Sequence, residues 1–313
     1  MDARSPATAF PDVAPEALLA LVRAVRATGY GFTTVTPSTH ARVNARPEAQ
    51  QARSLRDVLG WSRPFASGLL PPDLVAALEQ AGAVARDGAG WRPTIRLSSL
   101  DDELFLHSAY PPSAPDAVFF GPDTLRFVSA VLAHLAERRR PVRRAVDIGC
   151  GSGAAGICVA KRIPEAEVAL VDINPAALRA AAVNAEAAGI ANVRPHRSDM
   201  LEAVSGEFDL IISNPPFMID HGGGPLGAGL SLRVVEAARA RLAPGGSLVL
   251  FTGAAIVEGE DPFRAAAGAL CAAAGLSWDY REFDPDAYGE ELDDPAYAKV
   301  ERIALVVLTA TRP

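Results

Sequence analysis

The sequence predicts an α/β fold: a doubly wound, mostly parallel sheet joined to a smaller, mainly helical N-terminal domain. Three observations predict it. Short apolar runs recur at Ala145–Ile148, Val168–Val171, Phe208–Ile212, Ser247–Phe251 and Ile303–Leu308, with Ala-rich helical segments between them. Continuous apolar strands of this kind belong to a sheet covered on both faces. The first of them runs directly into glycines and then a helix, in RAVDIGCGSGAAGICVAKR (144–162). Residues before about 116 show no such alternation and are rich in Pro and Arg. We therefore expect one domain over 1–115 and a second over 116–313.

The N-terminal elements follow from local signals. PEALLALVRAVRATG (15–29) spaces Leu18, Leu19, Val22 and Val25 on one helical face and stops at Gly29. A second helix is expected near Ala49–Leu59, ended by Gly60. A third spans 71–82, opening on prolines and closing on Gly82. Asp87-Gly88 marks a turn between short extended runs, and DELFLHSAY (102–110) adds a strand. Helices followed by a hairpin resemble a winged-helix module. In the second domain, PDTLRFVSAVLAHLAERR (122–139) reads as a helix with Pro122 and Asp123 at its start. The basic run Arg138, Arg139, Arg140, Arg143 and Arg144 reads as a solvated helix end.

Composition narrows the function. The chain has 313 residues, 49% hydrophobic and 21% charged, a globular balance. No apolar run is long enough for a membrane span, and the N-terminal residues do not form a secretory signal. Cys150, Cys158 and Cys271 lack metal-ligand spacing, so no metal is expected and a cytoplasmic location is. A net charge of −7 argues against strong binding to bulk nucleic acid.

The glycine loop is the strongest local signal. Gly149, Gly151 and Gly153 allow a tight turn and close backbone approach to a ligand. Gly151, Gly153 and Gly156 match G-x-G-x-x-G, a pattern shared with nicotinamide and flavin sites. Asp147 lies two residues before Gly149. Asp172 ends the next apolar run, at a spacing that suits a carboxylate accepting from the two ribose hydroxyls of an adenosine.

With these residues the sequence resembles the class I S-adenosylmethionine-dependent methyltransferases, over roughly residues 116–313. The resemblance implies a seven-stranded Rossmann-like sheet and S-adenosyl-L-methionine as cofactor. It implies that Gly149, Gly151 and Gly153 line the cofactor and that Asp147 lies near its amino-acid end. It gives the ribose to Asp172, a place beside adenine to Ile173, and the adenine amino group to Asp199, with the Met200 backbone close by. The same resemblance makes Phe120, Gly121, Asp123 and Thr124 secondary cofactor candidates, from the approach segment AVFFGPDTLRF (117–127) of release-factor glutamine and ribosomal RNA guanine methyltransferases.

EFDLIISNPPFMID (207–220) holds the most specific motif, Asn214-Pro215-Pro216-Phe217. In the family, an N-P-P-F tetrapeptide after the fourth strand marks enzymes that methylate a nitrogen attached to a planar system. Such a nitrogen is a weak nucleophile because its lone pair is delocalised. Asn214 and the Pro215 carbonyl can accept its two N–H hydrogens, Asn214 also borders the cofactor, and Phe217 offers a flat apolar face. HGGGPLGAGL (221–230) reads as a loop over the substrate, with His221 as a contact or a surface residue. A helix over Ser231–Leu242 and a Pro244-Gly245-Gly246 turn should lead into the fifth strand.

The substrate stays open between an RNA base, a protein glutamine and a small metabolite. Another S-adenosylmethionine-using reaction on the same fold is an alternative, and so is a non-enzymatic cofactor-binding regulator. An insertion over 283–304 carries Asp284, Asp286, Glu290, Glu291, Asp293 and Asp294 with Tyr288 and Tyr297. It reads either as a rim for a cationic substrate or as a solvated loop with the tyrosines beneath it.

Overall fold

The structure, a computed structural model, describes residues 9–217 and 227–313. Contacts divide the chain into two compact units. The first gathers the residues up to Leu125 with Gly151–Ala154 and Asn174–Ala191; the second holds the remainder.

In the first unit, α1 (Pro15–Ala27) buries Leu18, Leu19, Leu21, Val22 and Val25, the stripe its spacing predicts. A helix that the sequence reading did not mark, α2 (Pro37–Asn44), begins where Thr36 accepts from the Thr39 amide, with Pro37 in its first turn. The helix expected near 49–59 is instead a 3-10 turn, Pro47–Ala49, followed by α3 (Leu55–Leu59). The break lies at Ser54, which caps α3, while the Asp57 carboxylate accepts from the Arg53 amide and the Ser54 hydroxyl. After α4 (Pro72–Gln80) come two hairpins: β1 (Val84–Asp87) with β2 (Gly90–Pro93), and β3 (Ile95–Leu100) with β4 (Glu103–Ser108). The second turns at Asp101-Asp102, both with positive φ. The core of this unit joins Leu18, Val22, Leu59, Leu78, Ile95 and Leu106 to Ala176, Ala180 and Val183 of the helix Pro175–Ala187.

The second unit contains the sheet. Its strands are β5 (Arg144–Ile148), β6 (Glu167–Asp172), β7 (Val193–Arg197), β8 (Phe208–Ser213), β9 (Leu242–Ile256), β10 (Ser277–Ala287) and β11 (Arg302–Thr311). Their order is β10-β11-β9-β8-β5-β6-β7. Pairing from β7 to β9 is parallel, and β11 runs antiparallel to both β9 and β10. Its helices are most of α5 (Pro122–Glu137), α6 (Ala154–Arg162), α8 (Gly229–Arg241) and α9 (Pro262–Ala273), while α7 (Pro175–Ala187) is the helix already counted in the first unit. One face of the sheet buries Val146, Ile148 and Val171 with Val234, Val235 and Ala238 of α8 and Phe263, Ala267 and Cys271 of α9.

Two strands have no apolar run behind them, and both are edges. β7 buries only Val193 and carries Pro195, which an edge tolerates. Most of β10 is exposed. The expected turn at Pro244–Gly246 lies inside the start of β9: Leu242 pairs with Phe208, and the register shifts before Ser247 meets Leu210. Gly245 has φ of +76° there and donates its amide to the Arg312 carbonyl. Among the described residues, no helix is long and apolar enough to cross a membrane.

Candidate active site at the carboxyl edge of the sheet

Register places the sequence-derived residues on one edge. Ile148, the last residue of β5, pairs with Val171 on β6 and with Ser213 on β8, and Asp172 pairs with Arg197 on β7. Gly149, Asp172, Asp199 and Asn214 therefore lie at or just beyond the same ends of four adjacent strands. The strand order reverses at β5, the place where open α/β sheets take their ligands.

The loop after β5 is held by its own backbone. Gly149, Gly151 and Gly153 have φ of +68°, +52° and +78°, a region that a side chain would strain. The amides of Gly149 and Cys150 both donate to the Val171 carbonyl, at 2.8 and 3.0 Å. A Cβ at Gly149 would meet nothing within 4 Å, so open space borders this end of the loop. Gly156 is tight instead: a Cβ there would lie 2.2 Å from Leu170 Cδ2. Its absence lets α6 lie close against β5 and β6.

Asp147 faces inward. Its carboxylate accepts from the Gly156 amide at 2.9 Å and fixes the start of α6. Burial pushes its carboxyl up to about 7; the Gly156 bond opposes that rise, and the Asp172 charge adds to it. Asp172 is half-buried at the end of β6, and its carbonyl accepts from the Ser198 amide. Ile173 beside it is 64% exposed, an apolar side chain held in solvent. Asp199 is exposed, and each of its carboxylate oxygens accepts from Arg233 of α8 at 2.9 Å. Met200 has φ of +46° and packs on the core under the sheet.

On β8, the buried Ser213 hydroxyl donates to the Ile148 carbonyl at 2.8 Å and ties the strand end to β5. Asn214 is half-buried, Pro215 is buried and Pro216 is exposed. The half-buried Phe217 ring lies against Gly253 of β9. Its centroid is 5.8 Å from that of Tyr288, at an interplanar angle of 53°. Sequence reasoning missed Ser213, Arg233 and Gly253. Only Ser213, the residue before the tetrapeptide, stood close enough to a motif to be found.

In the first unit, Phe120 and Asp123 are buried, and the Gly121 amide donates to Thr124 Oγ1 at 3.2 Å. Gly151 and Gly153 belong to this unit. Asn184 of α7 holds the residue between them: its amide nitrogen donates to the carbonyls of Ser152 at 2.9 Å and Leu106 at 3.1 Å, and its oxygen accepts from the Leu106 amide. His221 and the glycines at 222–224 lie outside the described residues.

A family profile described as methyltransferase small domain matches residues 116–257. A release factor glutamine methyltransferase of Cereibacter sphaeroides is 32% identical over 229 residues, 66% of this chain and 75% of the relative. The chain belongs to the class I S-adenosylmethionine-dependent methyltransferases. Two further relatives match over shorter spans. A ribosomal RNA small subunit methyltransferase C of Hahella chejuensis is 42% identical over 34% of this chain and 30% of its own length. A release factor glutamine methyltransferase of Bordetella pertussis is 42% identical over 33% of this chain and 38% of its own length. The chain thus spans about a third of the length of these two relatives. A solved transferase of Pyrococcus horikoshii shares the fold, with a TM-score of 0.51 at 13% identity over 76% of this chain and 80% of that one.

The family's cofactor is S-adenosylmethionine, and the edge residues fit it. The exposed Ile173 beside a half-buried carboxylate, with open space at Gly149, meets the needs of a nucleoside with an apolar base face and two ribose hydroxyls.

Proposed function

We propose that this protein is an N-methyltransferase acting on an amide or aryl-amine nitrogen. The observation that carries the reading is Asn214-Pro215-Pro216-Phe217 leaving β8 beside the glycine loop, with Ser213 bonded to the Ile148 carbonyl. Gly149, Gly151, Gly153, Asp172 and Ile173 would hold the cofactor, and Asp199 would reach its adenine. Bound there, S-adenosylmethionine supplies a methyl group on a positively charged sulfur.

The chain's own residues then act on the acceptor. The Asn214 amide oxygen and the Pro215 carbonyl accept the two N–H hydrogens, which fixes the direction of the nitrogen lone pair. The buried Pro215 and the Ser213 bond hold those acceptors rigid. Phe217 lies along the acceptor plane and keeps water from it. Asp147 acts from within, by fixing α6 and the loop before it. The named relatives act on ribosomal RNA and on release-factor glutamine, and both substrates present a nitrogen of this type.

Asn214→Ala tests the reading. It should keep the affinity for S-adenosylhomocysteine and lower turnover by about 100-fold or more, the scale for losing a positioned donor–acceptor contact. Radiolabelled methyl uptake into cell extract, separated into RNA, protein and small molecules, names the substrate class. Normal turnover by folded Asn214→Ala would refute the planar-nitrogen mechanism.

A further inference from the structure

We propose that a cavity at the amino edge of the sheet is a second binding site, one for a small phosphate-bearing ligand. The cavity measures about 280 Å³ and lies within the second unit, lined by Arg138, Arg139 and Arg140 beyond α5, by Ser247 of β9 and by Arg312. Register fixes its place. Ser247 pairs with Leu210 near the start of β8 and with Thr311 at the end of the antiparallel β11, and Leu210 pairs with Ala145 near the start of β5. Gly149, Asp172 and Asn214 stand at the other ends of their strands, so this cavity is not part of the candidate active site.

The arginines are held there without being neutralised. Elsewhere in this unit arginines close on acids: Arg233 on Asp199, Arg302 on Glu282 and Arg312 on Glu207. Among the described residues, Arg138, Arg139 and Arg140 form no ion pair. Arg138 donates from Nε to the Arg140 carbonyl at 3.1 Å, from Nη1 to Ser247 Oγ at 2.8 Å and from Nη2 to the Gly245 carbonyl at 3.0 Å. Arg140 Nη1 donates to the Pro244 carbonyl at 3.3 Å. A Cβ at Gly245 would lie 2.6 Å from both Cδ and Cζ of Arg140, so this glycine lets the side chain lie across the β9 backbone. Neutral oxygens fix a guanidinium and leave its charge in place. A run of arginines at a solvated helix end would spread apart in water, because like charges repel. Here neutral oxygens of Pro244–Ser247 draw two of the three back over one cavity.

The neighbouring acids are engaged elsewhere. Glu207 meets Arg312, and the Asp209 carboxylate accepts from the Arg143 and Arg144 amides. Burial lowers the Arg138 guanidinium from its ordinary value; the Asp209 charge opposes that, and the Arg140 charge adds to it. His134 also lines the cavity. Burial first, then the Arg138 charge, hold its imidazole below the ordinary value against Glu137, and its Nε2 has no partner among the described residues. The guanidinium groups of Arg138, Arg139, Arg140, Arg143, Arg144 and Arg312 thus outnumber the carboxylates of Glu137, Glu207 and Asp209, even with a terminal carboxylate at Pro313 added. A ligand carboxylate brings one charge in one plane. A phosphate dianion brings two, with oxygens pointing several ways, and meets forks from more than one arginine at once. The ligand is small, because the chain charge of −7 and the acids around the arginines repel a long polyanion.

Calorimetry on the full-length protein, at constant ionic strength, compares inorganic pyrophosphate with acetate. The wild type should prefer pyrophosphate by about 10-fold or more. A double variant, Arg139→Gln with Arg140→Gln, should lose about 10-fold or more of the pyrophosphate affinity. Arg139→Lys with Arg140→Lys, which keeps the charges and loses the planar forks, should retain part of it. Arg139 makes no side-chain hydrogen bond or ion pair among the described residues, so Arg139→Gln alone, which should also lower the affinity, keeps the test open if the double variant fails to fold. Saturating S-adenosylhomocysteine should leave the pyrophosphate affinity unchanged, because the glycine loop lies at the other edge. The proposal is overturned if pyrophosphate does not bind, if acetate binds equally well, if the folded glutamine variants keep the full affinity, or if S-adenosylhomocysteine displaces pyrophosphate. It is also overturned if a short single-stranded RNA, and not pyrophosphate, is the ligand whose binding the glutamine variants lose; the cavity would then be a nucleic-acid contact.

Discussion

Gly253→Ala tests whether the place of the Phe217 ring governs the chemistry. An alanine Cβ at this position would stand 2.3 Å from Phe217 Cδ2, 2.6 Å from Cε2 and 2.9 Å from Cγ. Ordinary carbon contacts begin at about 3.5 Å, so the ring must retreat by about 1 Å. β9 cannot yield instead, because Gly253 is paired with Leu305 of β11 within a ten-residue ladder. Tyr288 borders the ring elsewhere and restricts its escape. A misplacement of about 1 Å at a reacting centre costs up to about 100-fold, so kcat should fall about 10- to 100-fold. Affinity for S-adenosylhomocysteine should not change. Global stability should move by only about 1 kcal/mol, since alanine recovers about 0.5–1 kcal/mol of strand entropy while the ring repacks. The assay is initial-rate methyl transfer to the extract fraction that the wild type labels, with calorimetry and urea unfolding alongside. Undiminished kcat in a folded Gly253→Ala protein would show that the Phe217 ring does not position the acceptor.

Asp172→Ala removes two charge-assisted contacts to ribose, each worth about 1.5–3 kcal/mol, and should weaken S-adenosylhomocysteine binding by about 100-fold or more in calorimetry. An unchanged affinity would place the ribose elsewhere. Asp147→Asn addresses the buried carboxyl. Its folded value, about 7, lies above its ordinary 3.8, so the native state holds a proton that the unfolded state releases between those limits. The stability it contributes is complete below about pH 4, falls as pH rises to about 7, and is constant above that. The amide oxygen of the Asp147→Asn variant can still accept from Gly156, but the side chain no longer titrates. The buried histidines His40, His107 and His134, held below their ordinary value by burial, add the same rise in stability with pH to both proteins. Urea unfolding at pH 5 and pH 8 should therefore show a more negative change in stability with pH in the wild type than in the variant. Equal slopes would remove the burial argument. With a net charge of −7, the protein should bind bulk RNA weakly. A nanomolar complex that weakens steeply with salt would contradict this.

The sheet and its edge were legible because each element had a strong local cause. β5, β6 and β8 are buried on both faces and therefore read as apolar runs. Their parallel register carries Asp172 and Asn214 to one edge with no further information. The break at Ser54 was not legible, because it depends on one carboxylate, Asp57, choosing the Arg53 amide and Ser54 hydroxyl over a continuous helix. Edge strands β7 and β10 escaped for the opposite reason to β5: they bury too little to leave a pattern. The contacts made by Arg233 to Asp199 and by Gly253 to Phe217 join residues far apart in sequence, and no periodicity announces them. The Asp199 pair also bears on its expected role. Both oxygens already receive an arginine N–H, so an adenine amino group must share the carboxylate's remaining lone pairs with Arg233.

The acidic insertion over 283–304 divides in the same way between surface and site. Asp284 pairs with Arg126 at 3.2 Å, and Asp294 accepts from the Ala296 amide at the start of a 3-10 turn. Arg302 is bound by Glu282 in a two-oxygen fork and donates to the Pro285 carbonyl. A carboxylate already met by an arginine projects little net field, and salt screens what is left. The attraction of a rim of six acids is therefore reduced at its first member. Tyr297 is 6% exposed and packs beneath the loop, as the solvated-loop reading expects. Tyr288 does not follow it. Its backbone has φ of +60°, which costs a non-glycine residue energy, and its ring meets Phe217. An energetic cost persists where surrounding structure imposes it, and here the imposed contact is with the ring of the N-P-P-F motif. The insertion thus reaches Phe217 of the proposed site through one aromatic side chain, not through its charge.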